Sequence, residues 1–491
     1  MNTPKYFLII IILINLFSSC VKNSQTNIDS NEIKSVETNL IPPIYIIGDS
    51  TWTIESRMKH YGVPGVSIAV IQDYKIAWIK SYGIADKESQ KPVTKQTIFL
   101  AGSISKSVAA YGALKLVEEN KISLNENVNT FLKSWQVPKN KFTTQKKVTL
   151  KNILTHTGGI TVDGFLGYDS ESVIPTLLEI LDGVEPANSQ PIVINNIPGE
   201  DFNYSGGGYT VMQQMMIDIE QKPFPNLMNE LVLNPLDMSN STFNQPLSES
   251  QSNIAATGYL EDGSMVKGKR FIYPEMAAAG LWTTAEDLAK FVVDIQNTLK
   301  NNDSNVLSKS MTNKMLTPFF EGGGPALGVF ISESNDETYF SHNGWIQGFC
   351  SEFTANKDNG YGVVVLINAN QPEFVSELIR SVGFTYDWDN FITKYQKIKM
   401  KPNEIQNITG RYRSEDDNII EIYNIENRLF RKNLDEKPIE LFKISDTSYV
   451  SREDGDKTVQ FKLNPKQNNY DMFIRYNSGY LISSLSKIGR N

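Results

Sequence analysis

Two cysteines and three histidines in 491 residues leave few of the usual means of cross-linking or metal binding. The cysteines are Cys20 and Cys350. If Cys20 is modified, no internal disulfide is possible, and packing alone must hold the fold. The histidines are His60, His156 and His342. None pair at metal-ligand spacing, so a zinc centre is not expected, and no cofactor is implied. Positive charge is also scarce. The formal net charge is -8, and there is no basic block and no aromatic-basic interleaving, which argues against nucleic acid as a partner. No internal repeat is present. The glycine run Gly206-Gly207-Gly208 is not followed by Gly-Lys-Ser/Thr, which excludes a phosphate loop.

The N-terminus carries the longest apolar stretch. Lys5 supplies a positive start, and Tyr6 to Phe17 is apolar apart from Asn15. That run is shorter than the roughly 20 residues of a membrane-spanning helix. It fits the core of a signal peptide. Leu16-Phe17-Ser18-Ser19-Cys20 then resembles a bacterial lipoprotein signal. The resemblance implies cleavage before Cys20, lipid attachment at Cys20, and a lipid-anchored protein of the bacterial cell envelope. The alternative is a plain secretory signal with an incidental cysteine.

After this signal, taken as residues 1–19, the stretch 20–43 is polar, lacks periodicity, and reads as a flexible tether. Structure is expected from residue 44. Thr51 to His60 looks helical. Gly65 to Val70 and Lys75 to Tyr82 flank Gln72-Asp73-Tyr74 as a hairpin would. Apolar residues recur at helical spacing from Ser103 to Asn120, as along an amphipathic helix. Further helical stretches follow at Tyr209 to Glu220, Asn226 to Leu233 and Ala285 to Leu299. Leu327 to Ile331, Phe349 to Ala355 and Tyr361 to Asn368 look like strands, and Glu373 to Val382 like a closing helix. Strands at both ends and helices between them predict an α+β domain over 44–390: an antiparallel sheet flanked by helices, with a helical insert. Residues 391–403 are lysine-rich and read as a linker. Residues 404–491 alternate and are punctuated by turns, which predicts a small all-β domain of barrel type.

Three motifs carry the chemistry: Ser103-Ile104-Ser105-Lys106, Tyr204-Ser205-Gly206 and His342-Asn343-Gly344. Ser103 and Lys106 are three apart at a helix start, which puts both on one face. A free helix N-terminus favours an alkoxide at Ser103 and disfavours charge on Lys106. A lysine without its proton can accept one from a serine, which needs a base to act as a nucleophile. The same spacing at Ser19–Lys22, Ser56–Lys59, Ser264–Lys267 and Ser484–Lys487 reads as surface pairs. Tyr204, beside a tight glycine loop, could share a proton with Lys106 and protonate a leaving group. His342 stands ahead of a predicted strand whose edge could offer N–H groups to a carbonyl. His156 is expected to brace a loop. Ser67, in Gly65-Val66-Ser67-Ile68-Ala69, nearly matches a nucleophile elbow, but no strand-to-helix turn follows, so it reads as a strand residue. Cys350 reads as a small core residue.

With these residues the chain resembles the serine β-lactamase and penicillin-binding-protein family. The nearest branch holds class C β-lactamases, D,D-carboxypeptidases, D-aminopeptidases and related esterases. Gly62-Val63-Pro64-Gly65, Leu154-Thr155-His156-Thr157-Gly158-Gly159 and Ala278-Ala279-Gly280-Leu281-Trp282-Thr283-Thr284 add to the match. The resemblance implies Ser103 as acylated nucleophile, Lys106 and Tyr204 as base and acid, and His342, Gly344 and Trp345 on the substrate wall. The oxyanion hole would be the N–H groups of Ser103 and Trp345. Two residues depart from the family pattern. Gly206 replaces the asparagine of Tyr-x-Asn, and His342 stands where lysine is common and would be only partly charged near neutrality. The expectation is a serine hydrolase acting through an acyl-enzyme on an ester, a small amide or a D-amino-acid peptide, with a small molecule or short peptide as its partner. Two alternatives stay open: a β-lactamase or D,D-carboxypeptidase acting on cell-wall substrates, and a silent lipoprotein that holds peptidoglycan or a partner. Oligomeric state is open.

Overall fold

The computed structural model describes residues 30–488, apart from 335, 389–390, 434–435, 456 and 477–479. The proposed signal and Cys20 therefore lie outside the described residues.

Period-two alternation organises the main sheet. Val66, Ile68 and Val70 face one core, while Ala69 and Ile71 face another. On its neighbour Val363, Val365 and Ile367 join the first core, while Val364 and Leu366 join the second. A strand buried on both faces reads as a continuous apolar run, as Gly362–Ile367 does. The sheet has eight strands. In spatial order they are Lys91–Pro92, Lys75–Asp86, Gly65–Gln72, Gly362–Ile367, Phe349–Asn356, Glu337–Ile346, Phe330–Ser334 and Gly324–Pro325. Every pairing is antiparallel. The α+β reading thus holds: both ends of the domain build one sheet, and the helical segments between them cover one face.

The other face is covered by Ser30–Thr38 and Pro372–Thr385. This corrects the expected tether. Residues from Ser30 onward are helical and docked: Ser381 Oγ donates to the Val36 carbonyl at 2.7 Å and Tyr82 Oη to Glu37 at 2.9 Å. The helix was not legible because its buried face is essentially Ile33 and Val36.

The helix Ile104–Glu118 also differs from expectation. It was read as amphipathic, yet twelve of its fifteen residues are buried. A helix buried all round must satisfy each polar side chain internally. Ser105 Oγ donates to the Gly102 carbonyl, Ser107 Oγ to the Gly328 carbonyl, and Tyr111 Oη to Asp294.

At the C-terminal end, eight strands from Gly410–Ser414 to Leu481–Ile488 close into a barrel. Ile405 and Ile408, from Pro402–Ile408, pack into its core beside Tyr412 and Phe461. The expected linker is partly a strand: Thr393–Tyr395 pairs in parallel with Ile44–Ile46. Arg452 grips Asp49 through two hydrogen bonds of 2.6 and 2.8 Å, tying the barrel to the start of the chain.

Candidate active site

The chain enters the site along Phe99–Leu100, which pairs with Trp282–Thr283. Ala101 N–H donates to the Leu281 carbonyl at 2.8 Å, and Leu281 N–H donates to Ser105 Oγ at 2.9 Å. Gly102 then turns with φ +54°, a conformation that favours glycine. A side chain at Gly102 would also press on Trp345 N and on Ile346, each 3.2 Å from its Cβ position. Ser103 follows at the helix N-cap, and its side chain makes no capping bond. It is left free for another partner.

That partner is Lys106. Its Nζ donates to Ser103 Oγ at 3.0 Å and to the Ala278 carbonyl at 2.8 Å. Lys106 is 2% exposed. Burying a charged group is costly unless it is paired. No carboxylate hydrogen-bonds to Nζ among the described residues, so two neutral oxygens and two ring faces hold it. Nζ lies 5.0 Å from the Tyr204 ring centre and 5.9 Å from that of Tyr209.

Tyr204 is fixed by rings. His156 stacks on it at 4.2 Å, and Phe330 lies parallel at 6.4 Å. His156 is fixed in turn: its Nδ1 accepts the Ser205 N–H at 3.0 Å, and its carbonyl accepts the Asn203 N–H at 2.8 Å. That first bond requires a bare Nδ1, so His156 is neutral. Burial, then Lys106, then His342 hold its pKa well below the usual histidine range. Among the described residues no hydrogen bond joins the Tyr204 hydroxyl to Ser103 or Lys106. The tyrosine meets the lysine through its ring face.

The glycine run is not a loop, as expected, but the first turn of the helix Gly206–Glu220. Glycine is a poor helix former, so its presence there has a steric cause. Gly206 and Gly207 N–H groups donate to the Asp163 and Val162 carbonyls at 3.0 and 2.9 Å. A Cβ on Gly207 would sit 2.5 Å from the Thr161 carbonyl oxygen, and one on Gly206 would sit 3.1 Å from the Phe165 ring. Phe165 crowds the space into which an asparagine at 206 would reach. Ser205 caps this helix, accepting the Gly208 N–H at 2.9 Å.

The third motif lies inside a strand, Glu337–Ile346, rather than ahead of one. Gly344 touches the segment that carries Ser103: a Cβ there would sit 2.0 Å from the Ala101 carbonyl oxygen. Its role is close backbone approach. Trp345 is 66% exposed. His342 is buried, not partly charged. Its Nδ1 donates to the Asn343 carbonyl at 2.7 Å, and its Nε2 is buried with no partner. Burial first and Lys106 second lower its pKa to about 3. Burial is a property of the folded chain that the motif itself did not reveal.

A pH prediction follows with a definite sign. An unfolded histidine titrates near 6.5. Below that pH the unfolded chain takes up a proton that folded His342 refuses down to about 3. Its contribution therefore favours the folded state fully above about pH 6.5 and is lost as pH falls. Denaturant unfolding at pH 7 and pH 5 should show a stability loss larger in the wild type than in His342→Gln. The expected difference is on the order of 2 kcal/mol, about 1.4 kcal/mol per pH unit. Equal losses in the two proteins would refute it.

Ser67 and Cys350 stay out of the chemistry. Ser67 is buried in its strand, 3.2 Å from Ser81 Oγ. Burial pushes the Cys350 thiol up to about 12. The sequence reading missed Phe165, Phe330 and the Ala278 carbonyl. The stretch Ala278–Thr284 was noticed, but nothing in it marks one carbonyl as a lysine acceptor. It missed Glu275 as well, buried one turn before Ala278 with both oxygens unpartnered and its carboxyl raised to about 8 by burial. Among the described residues no group of His, Cys, Asp or Glu side chains is placed to hold a metal.

The model of the beta-lactamase family matches residues 52–384. Protein flp of Staphylococcus aureus strain N315 is 25% identical over 335 residues, covering 67% of this chain and 64% of that protein. The chain thus spans just under two thirds of the length of that relative. Among solved structures, the octameric penicillin-binding protein homologue from Pyrococcus abyssi superposes with a TM-score of 0.60 at 22% identity, over 88% of this chain and 98% of that one. The D-alanine carboxypeptidase AmpC from Burkholderia cenocepacia gives 0.53 at 20% identity, over 67% and 95%.

Proposed function

The chain belongs to the beta-lactamase family, and from that premise we propose that it is a serine hydrolase working through an acyl-enzyme on Ser103. The supporting observation is the 3.0 Å contact between Lys106 Nζ and an otherwise uncommitted Ser103 Oγ. In the amine form of Lys106 the same contact runs the other way. The hydroxyl proton passes to Nζ as Oγ bonds to the carbonyl carbon. The bond to the leaving group then breaks, and that group departs with a proton relayed from Lys106 or Tyr204. Water adds to the acyl carbon in the second half, its proton returns to Ser103, and the acid is released. The N–H groups of Ser103 and Trp345 are the oxyanion donors in this reading. Gly102 supports it, since its bare Cα lets Trp345 N approach the turn that carries the nucleophile.

The substrate is an ester, a small amide or a D-amino-acid peptide. A β-lactamase is the weaker reading because the site offers no asparagine amide at 206 and no cation at 342. His342 is buried and neutral, and the Phe165 ring lies 3.1 Å from the Cβ position of Gly206. The silent binder is also weaker, since a pocket with no chemistry gains nothing from a buried lysine on a free serine. The expected result is a kcat/KM for p-nitrophenyl acetate above that for nitrocefin by at least about 10²-fold, because that ratio reports differential transition-state binding. Efficient nitrocefin turnover with weak ester turnover would reverse the assignment.

A further inference from the structure

We propose that the cavity beside Ser103, between Phe165–Leu166 and the end of the His342 strand, is an acyl-chain subsite that accepts an uncharged apolar group and repels a carboxylate. This inference rests on the acyl-enzyme reading of Ser103 and adds the class of acyl group.

The cavity measures about 380 Å³ and is lined by Phe165, Leu166, Leu260, Trp345 and Ile346, with Glu261 the only charged residue in its wall. That volume is at the low end of the roughly 300–1,000 Å³ of small-molecule sites. It suits a short alkyl chain or a single ring. Two of its lining residues, Trp345 and Ile346, lie against the turn that carries the nucleophile. Ile346 lies 3.2 Å from the Cβ position of Gly102, the residue before the nucleophile. Its mouth is open, since Leu166 is 63% exposed and Trp345 is 66% exposed. Large apolar side chains left in water beside a cleft mark a surface made to be covered.

Both walls are held stiffly. On one side, Asn370 spans the turn after the His342 strand: its Nδ2 donates to the Ile346 carbonyl at 2.6 Å, and its Oδ1 accepts the Gly348 N–H at 2.9 Å. On the other side, residues 161–168 are tied down at both ends. The Gly206 and Gly207 N–H groups hold the Asp163 and Val162 carbonyls, and Tyr168 N–H donates to the Ile272 carbonyl at 2.9 Å. Val162 sits at φ +64°. A β-branched residue there is strained, and such strain persists only where surrounding bonds over-determine the backbone. The result is a fixed rim that presents Phe165 and Leu166.

Charge settles which groups are refused. Glu261 puts a carboxylate in the wall, and no basic side chain is among the lining residues. An acyl chain ending in a carboxylate would meet like charge with nothing to balance it. An alkyl chain would cover Leu166 and Trp345.

The test uses the full chain and p-nitrophenyl acetate, butyrate, hexanoate and the glutarate monoester. Burial gains about a factor of four for each methylene, so kcat/KM should rise about fifteenfold from acetate to butyrate and should not fall at hexanoate. The glutarate monoester should be cleaved at least about tenfold more slowly than hexanoate. In Leu166→Ser the hexanoate-to-acetate ratio should fall about fivefold, and in Glu261→Lys the glutarate-to-hexanoate ratio should rise about tenfold. Both residues are surface-accessible, and circular dichroism checks that each variant folds. A flat chain-length series, with acetate turnover that still depends on Ser103, overturns the subsite and leaves the hydrolase reading standing. Unchanged ratios in both variants do the same. Loss of Ser103-dependent turnover on every ester overturns the hydrolase reading, and the subsite with it.

Discussion

Replacing Ser103 by alanine is expected to lower ester turnover by at least about 10³-fold, to the background of the buffer, because no other hydroxyl in the cleft has a base in contact. A fluorophosphonate probe should label the wild type at Ser103 and leave Ser103→Ala unlabelled. The structure identifies the rivals that would appear if the assignment were wrong. Ser205 Oγ already accepts the Gly208 N–H and donates to the Thr161 carbonyl at 3.0 Å. Ser67 is 1% exposed. Among the described residues Ser103 alone combines an uncapped hydroxyl, a lysine at 3.0 Å and access to the cleft. Folding should be unaffected, since this side chain supports no other bond. Probe adducts on Ser67 or Ser205 in the variant would sink the assignment.

Lys106→Met should be the next most damaging change. A lost general base costs about 10²–10⁴-fold in kcat, and the expected value is near the upper end because neither His156 nor His342 hydrogen-bonds to Ser103. The variant should nevertheless fold as well as the wild type or better. Methionine fills a similar volume and removes the cost of burying Nζ, leaving the Ala278 carbonyl and Ser103 Oγ as the groups that lose a partner. Activity and thermal melting together discriminate. Lost activity with a retained Tm places Lys106 in the proton path, whereas lost activity with a collapsed Tm would make it a structural strut. Tyr204→Phe is the companion measurement. It keeps the ring that His156 stacks on and removes only the hydroxyl, so a fall in kcat of about 10²-fold isolates proton transfer from packing.

How far the site was legible depended on whether local sequence or distant packing controlled each part. Ser103 and Lys106 were readable because three-residue spacing on a helix leaves little freedom. The turn that presents them was not, since it depends on Gly344 from a remote strand lying against Ala101. The strand Glu337–Ile346 was missed for a related reason. Its sequence, ETYFSHNGWI, has no clean alternation, and its extended form comes from the pairing of Tyr339 to Ile346 with Phe349–Asn356. Strand preference is largely set by neighbours. The helical start at Gly206 defied propensity because contacts with residues 161–165 outweighed it. The charge of His342 was misjudged because burial belongs to the assembled site. The barrel, in contrast, was suggested by repeated alternation and turns alone.

The sheet's order also fixes when this protein can exist as a folded object. Gly65–Gln72 lies between Lys75–Asp86 and Gly362–Ile367. Its second partner is thus made only after nearly three hundred further residues. Until then the early hairpin carries an unpaired edge lined with Val66, Ile68 and Val70, the kind of template that recruits other chains. The catalytic unit cannot mature from its N-terminal end as it emerges; the whole segment must be present before its sheet can close. Such long-range closure makes folding slow and aggregation-exposed. The hydroxyl of Ser103 is synthesised early, yet Trp345 and Gly344, which set its surroundings, come at the end. The surroundings of Ser103 therefore form only once the sheet has closed.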